Sequence, residues 1–420
     1  MDEPVPRAIA EQLDARDPVA SFRERFVVAD EHAIYLDGNS LGRLPAATPA
    51  LLDTVVREGW GAGLVTSWHS WIDWGTRLGD RLAASVLSAR PGEVAISDST
   101  SVNLYKLAVA ALDAAPGRGT IVCDAADFPT NRYVLQGVAE ARGLRIRTVQ
   151  TDLDGGCTLD ELHRILDRDV ALVCLSLVSY RSGALLDMGA VNDAAREAGA
   201  LVLWDLSHAA GAVPVRLTAE RADLAVGCTY KYLNAGPGAP AFLFVRRELQ
   251  PALRQPVWGW FGQRNQFDMG PDYDPVEGVE RFLVGTPPIL SMAPIEAALD
   301  IVEQAGVDRI RAKGVQLGRL MVDLTEHWLA PYGFRLASPR AAASRGSHIC
   351  LEHAEAWRIC RALAINAGII CDFREPSRLR IGPSPLYTRF VDVWDAMHRL
   401  RQMMADREYE SVGNERPRVT

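Results

Sequence analysis

One segment carries the residues best suited to covalent chemistry. It reads Cys228-Thr229-Tyr230-Lys231-Tyr232-Leu233-Asn234-Ala235-Gly236-Pro237-Gly238, with the apolar runs Leu224-Ala225-Val226-Gly227 before it and Ala241-Phe242-Leu243-Phe244-Val245 after it. Such flanks predict that Lys231 sits in a turn between two buried strands. Of the 45 lysines and arginines in the chain, only Lys106, Lys231 and Lys313 are lysine, so arginine serves wherever a plain positive charge is enough. An amine in a partly desolvated pocket can lose its proton near neutral pH and attack a carbonyl to form a Schiff base, which a guanidinium cannot do. The plain alternative is a surface lysine in a loop. The aromatic neighbours, the glycines and the scarcity of lysine favour the chemical reading.

A carboxylate is the natural complement. Twenty-six residues earlier, Leu201-Val202-Leu203-Trp204 delivers Asp205 at the end of a strand, followed by Leu206-Ser207-His208. Ligands of open parallel sheets bind beyond the carboxyl ends of the strands, so Asp205 and Lys231 can face one crevice. An aspartate there could hold a pyridinium nitrogen, the partner that makes pyridoxal phosphate an electron sink, although a strand-end aspartate can equally cap the next helix. The phosphate of such a cofactor is favoured at a helix N-terminus with hydroxyls, where free N–H groups and the dipole favour an anion. Ser97-Asp98-Ser99-Thr100-Ser101, just before a helical pattern from Val102, is such a place, with a simple N-cap as the alternative. Phe128, in Phe128-Pro129-Thr130-Asn131, could cover one face of an aromatic cofactor or be a core residue.

The elements that must position these groups follow from the patterning. Helical spacing is expected over 7–30, 46–59 and 77–87, with a short strand at Ile34-Tyr35-Leu36 and a tryptophan-rich loop from Trp68 to Trp74. Short apolar runs then alternate with helical segments, the form of a parallel sheet wrapped by helices. About seven strands are expected, at 94–96, 120–123, 145–149, 170–176, 200–204, 224–228 and 241–245, interleaved with helices at 102–114, 131–141, 159–166 and 188–198. Residues 256–288 have little periodicity. A long helical stretch is expected over 295–328, then strands at 347–351, 369–373 and 379–381 and helices at 354–367 and 390–405. The fold class is α/β, and four parts are expected: residues 1–60 as an N-terminal arm with part of a small domain, 61–290 as the large cofactor-binding domain, 291–407 as a small C-terminal α+β domain, and 408–420 as a polar, frayed tail.

Composition narrows the function. The chain has 420 residues, 48% of them hydrophobic and 23% charged, with a net charge of -8 and no long basic run, which speaks against nucleic-acid or anionic-membrane partners. No signal peptide and no stretch of about 18 apolar residues is present, so the cytoplasm is the expected compartment. Seven scattered cysteines without a CxxC pair read as reduced and structural, and His348 and His353 near Cys350 lack ligand spacing, so no metal is expected.

Taken together, Asp205-Leu-Ser-His208, the Lys231 segment, Gly259-Trp260-Phe261-Gly262, Thr286-Pro287-Pro288-Ile289-Leu290, Leu36-Asp-Gly-Asn-Ser40-Leu-Gly and Pro385-Leu386-Tyr387 resemble the kynureninase family over nearly the whole chain. The lysine motif is shared with the wider class V aminotransferase group, and the other segments are more particular to kynureninases. The resemblance implies a fold-type I, pyridoxal-phosphate-dependent homodimer with active sites at the subunit interface, hydrolysing L-kynurenine, or its 3-hydroxy derivative, to anthranilate and L-alanine. By the same likeness Lys231 carries the cofactor, Asp205 pairs its ring nitrogen and His208 lies beside the ring. Thr100, Ser101 and Tyr230 hold the phosphate, Phe128 stacks on the ring within Phe128-Pro129-Thr130-Asn131, and Ser176 is another contact. Trp260 and Thr286 come from the neighbouring subunit, and Arg380 grips the substrate carboxylate. Tyr230 is the first candidate for the base that hydrates the γ-carbonyl, and His69, Asn39 and Ser40 are expected to line the aryl pocket.

One departure stands out: the family often has aspartate where this chain has Asn131, so a second carboxylate near the cofactor is expected to be missing. Two rival activities remain. A cysteine desulfurase or selenocysteine lyase of the same group requires a mobile nucleophilic cysteine, for which only Cys350 is tempting, and its apolar neighbours predict a strand. A cofactor-binding sensor without turnover is the other.

Overall fold

The computed structural model describes residues 5–413 and 415. Among the described residues there are thirteen strands: β1 (Ile34–Tyr35), β2 (Val94–Ile96), β3 (Thr120–Asp124), β4 (Arg145–Val149), β5 (Val170–Ser176), β6 (Leu201–Asp205), β7 (Leu224–Gly227), β8 (Phe242–Val245), β9 (Arg335–Leu336), β10 (Ile349–Glu352), β11 (Ile369–Ile370), β12 (Asp372–Arg374) and β13 (Arg378–Ile381). Seven of them form one sheet in the order β2-β8-β7-β6-β5-β3-β4. Only β8 runs against its neighbours. Apart from the edge strand β4, the sheet is buried on both faces, and alternate side chains feed the two opposite cores. Val122, Val173, Val202 and Trp204 pack on one side, and Ile121, Leu172, Cys174 and Leu203 on the other.

A second, antiparallel sheet in the order β12-β13-β10-β9 packs with the helices Val307–Leu324, Ala356–Asn366 and Phe390–Asp406 around Leu317, Trp328, Leu351 and Ile381. Val5, Ala10, Ile34 and Leu36 from the start of the chain join this core, and β1 pairs in parallel with β11. Among the described residues no helix is long and apolar enough to cross a membrane.

Several elements differ from the sequence expectation. The helix expected over 7–30 is two pieces, Arg7–Asp14 and Ala20–Arg25. Asp17 precedes Pro18, which disfavours helix; its Oδ1 instead accepts from Val19 N (2.9 Å), and its Oδ2 pairs with the buried Lys313 (2.6 Å). The tryptophan-rich stretch is not a loop but consecutive helical turns, Leu64–Ser67, Trp68–Trp71 and Trp74–Leu82. There Trp68 packs edge-on against Trp71, with ring centroids 5.7 Å apart, and the buried Trp74 donates its indole N–H to Glu296 (2.9 Å). The long helix breaks at Gly306, whose φ of +76° suits glycine. Strand β9 was not foreseen, since two residues show no period, and it exists only by pairing with β10. The tail expected to fray opens with a turn, Glu408–Ser411, where Arg358 donates to the carbonyls of Glu410 (2.5 Å) and Val412 (3.0 Å); residues 414 and 416–420 of that tail, and residues 1–4 of the N-terminal arm, lie outside the described residues.

Candidate active site

Parallel strands all end on one side, and most of the predicted cofactor residues sit at or just past those ends. Ser176 closes β5 and Asp205 closes β6, paired in register. Thr100 and Ser101 follow β2, the Phe128–Asn131 segment follows β3, and Lys231 follows β7. Together with Tyr180, Ser207, His208 and Tyr230 they line one cleft of about 170 Å³.

Lys231 Nζ lies 3.0 Å from His208 Nε2. Burial lowers the lysine pKa, and the Arg380 and Arg374 charges push the same way against Cys228 and Asp205. His208 is held well below its ordinary pKa by burial and by the Lys231 charge, so its imidazole is neutral; its buried Nδ1 has no hydrogen-bond partner among the described residues. The Phe128 and Tyr230 rings flank the amine, with centroids 6.0 and 5.9 Å away. A lowered amine pKa is what a nucleophilic lysine would need. The turn that presents it is fixed from the N-terminal segment: Gly42 N donates to Tyr230 O (2.8 Å). A Cβ on Gly42 would come within 2.5 Å of Lys231 O, which explains why the Leu36–Gly42 segment ends in glycine.

Asp205 is buried, with Oδ1 accepting from Ser207 N (2.8 Å) and Oδ2 from Asn131 Nδ2 (2.9 Å). The same amide nitrogen is 3.4 Å from Asp127 Oδ2. Asp127 thus sets a buried carboxylate beside the Asn131 amide. Sequence reasoning missed it because an aspartate before Phe128-Pro129 reads as an ordinary loop or cap residue. Ser207 was also passed over, though an Asp-x-Ser turn at a strand end is a legible signal.

At the other end of the cleft, Ser99 caps the helix Thr100–Asp113, leaving first-turn N–H groups and the Thr100 and Ser101 hydroxyls for an anion. Pro129 begins the helix Pro129–Arg142 and fixes the approach of Phe128, which packs edge-on against Tyr180. Burial raises the Tyr230 pKa, which suits a donor and not a base at neutral pH.

The expected substrate residues fall in two groups. Arg380 is buried, just behind the cleft, with Nε 2.8 Å from Asp372 Oδ1, Nη2 2.8 Å from Ser40 Oγ and Nη1 2.6 Å from the carbonyl of Tyr180. In the amide orientation that satisfies both groups, Asn39 Oδ1 accepts from Arg380 Nε (2.9 Å) and Nη2 (3.0 Å). His69, Trp260 and Thr286 are not in the Lys231 cleft of their own chain. They line a separate apolar cavity of about 720 Å³ with Trp68, Phe261 and Phe267.

The chain is 44% identical to a kynureninase of Pseudomonas fluorescens, over 93% of this chain and 94% of the relative. It is 45% identical to one of Burkholderia pseudomallei with the same coverage. The chain belongs to the kynureninase family. The model of the kynureninase C-terminal domain matches residues 310–400, the part built on β9 to β13. Among solved structures, a cysteine desulfurase from Thermococcus onnurineus aligns with a TM-score of 0.79 at 17% identity, covering 92% of this chain and 98% of that one. A C-DES variant with glycine covalently linked to its PLP cofactor also aligns at 0.79 and 17% identity, covering 90% and 98%. The kynureninase family thus shares its fold with those enzymes, a seven-stranded mostly parallel sheet wrapped by helices.

Proposed function

We propose that this protein hydrolyses L-kynurenine to anthranilate and L-alanine, using pyridoxal phosphate bound through Lys231. The observation that carries the reading is the lysine amine, desolvated and 3.0 Å from a neutral imidazole, in a cleft that also holds a buried carboxylate and a hydroxyl-bearing helix N-terminus. That donor set fits the cofactor: an amine for its aldehyde, Asp205 for its ring nitrogen, and Thr100, Ser101 and Tyr230 for its phosphate.

When bound, pyridoxal phosphate supplies a carbonyl for the substrate amine and a sink for the electrons released on cleavage. The chain's own residues do the rest. Lys231 Nζ would take the substrate Cα proton, with His208 Nε2 placed to accept a hydrogen bond from it. Asp205 would hold a proton at the cofactor's ring nitrogen. Phe128 shields one face from water. Arg380 provides the positive charge for the substrate carboxylate, which must then share it with Asp372.

The apolar cavity supports a homodimer. Phe267 in its lining is 66% exposed in the single chain, and Trp60, Trp258 and Met269 elsewhere on the surface are 60–70% exposed, which favours a second copy covering apolar surface and receiving Trp260, Thr286 and His69 at its own cleft. Seven unpaired cysteines, six of them buried, favour a reducing compartment such as the cytoplasm. The desulfurase alternative has little support: Cys350 lies in β10, fully buried, with its thiol pKa pushed up to about 12.

Purified protein supplied with pyridoxal phosphate and kynurenine should release fluorescent anthranilate, and Lys231→Ala should release none. A wild-type protein that binds the cofactor but releases no anthranilate would leave the sensor reading standing instead.

A further inference from the structure

Asp127 touches the cleft's own residues more closely than any helix cap would. Its carboxylate is 5% exposed as a residue, and its Oδ1 accepts from Ser176 Oγ (2.6 Å) and Phe128 N (2.7 Å). Its Oδ2 faces Asn131 Nδ2 at 3.4 Å, and that nitrogen is 2.9 Å from Asp205 Oδ2. A carboxylate placed only to favour the helix Pro129–Arg142 would face its first-turn N–H groups and solvent. This one faces Ser176 at the end of β5 and the Asn131 side chain, both in the cleft wall.

We propose that Asp127 is the second carboxylate of the cofactor pocket, a positioning residue that acts on Asp205 and on the charge at the ring end through the amide of Asn131. The inference rests on the cofactor reading above. An amide between two carboxylates has no charge of its own. The net charge of the cluster is therefore set by whether Asp127 holds a proton, while Asn131 uses its two N–H groups to keep both carboxylates in place.

The groups facing Asp127 are few. Asp205 and Asp124 add negative charge, and burial raises its pKa to about 7. Cys123 and Cys174 lie beside it with thiols raised by burial, so both stay neutral. Arg132 and Arg181 act on Asp124. Asp127 is thus the group in this cluster poised to change charge near neutral pH.

The test follows the visible absorption of the holoenzyme across pH, with pyridoxal phosphate as the probe, in wild type, Asp127→Asn, Asn131→Asp and the double swap. Removing negative charge makes the bound cofactor give up its proton more easily. Asp127→Asn should therefore lower the spectral midpoint by about half a pH unit, and Asn131→Asp should raise it by a similar amount. The double swap, which moves the carboxylate within one turn of chain, should return the midpoint to the wild-type value. An unchanged midpoint in Asp127→Asn, or a swap that stays with the single variant, overturns the proposal. If Asp127→Asn fails to fold, Asn131→Asp alone decides, because a midpoint that does not rise contradicts the coupling. A wild-type protein without a visible band sinks the cofactor reading itself, an outcome distinct from all of these.

Discussion

His208 Nε2 and Lys231 Nζ lie 3.0 Å apart, and the imidazole is neutral because burial and the lysine charge both oppose its protonation. A neutral Nε2 can accept a hydrogen bond from the lysine and orient the amine without holding a competing charge beside it. Replacing His208 with Leu leaves the buried amine without that partner, at a cost of about 1–3 kcal/mol. We expect kcat to fall by about tenfold to a hundredfold while cofactor stays bound, and His208→Gln to recover part of the loss. Full activity in His208→Leu would show that the contact is incidental.

Arg380 is held by Asp372 and Ser40, and a planar fork can keep that grip while turning a remaining N–H toward a substrate carboxylate. A lysine reaches one acceptor at a time. Arg380→Lys should raise KM for kynurenine by about tenfold or more, with a smaller change in kcat. A variant that melts earlier yet keeps its KM would assign Arg380 to structure alone.

Gly42 bears on the lysine turn through steric fit. Because an added Cβ would strike the backbone at Lys231 and Asn234, Gly42→Ala should destabilise the fold by about 1–3 kcal/mol and reduce bound cofactor. Gly137, inside the helix Pro129–Arg142, is a control, since its Cβ would meet nothing within 4 Å. Gly137→Ala should be neutral or stabilising by about 0.5–1 kcal/mol. Equal effects at the two sites would refute the packing argument.

Asp127 also makes a pH prediction for the protein stripped of cofactor. Its folded-state pKa is raised from 3.8 to about 7, so the native state binds this proton more tightly than the unfolded chain. The stability it confers is full below about pH 4 and is lost as pH rises through about 7. Thermal melts should therefore show wild type losing more stability than Asp127→Asn between pH 4 and pH 8. Parallel melting curves would contradict the burial argument.

Cys350 separates the two activities that the fold accommodates. Its buried thiol donates to the Arg181 carbonyl, far from the exposed thiolate that desulfuration requires. Cys350→Ala should retain anthranilate production within about twofold of wild type, and neither protein should release sulfur from cysteine. Cysteine desulfuration that disappears with Cys350 would reverse the assignment.

Much of this was legible in the sequence, for a physical reason: strands buried on both faces must be apolar throughout, so six of the seven runs mark strands directly, while the edge strand β4, Arg145–Val149, is partly exposed and alternates polar and apolar residues instead. Strand ends then mark a crevice, which is why Asp205 and Lys231 could be named before any contact was known, while Thr100 followed from a helix N-terminus and Ser176 from the family resemblance alone. Tertiary packing decided the rest. Side chains 74 residues apart, such as Asn131 and Asp205, meet only because β3, β5 and β6 are neighbours in the sheet. Whether Asp127 faces solvent or the cleft is likewise set by that packing and not by its local pattern. The helical tryptophans, the pairing of β9 and the ion pair between Arg380 and Asp372 follow the same logic, since each depends on partners whose proximity no local periodicity encodes.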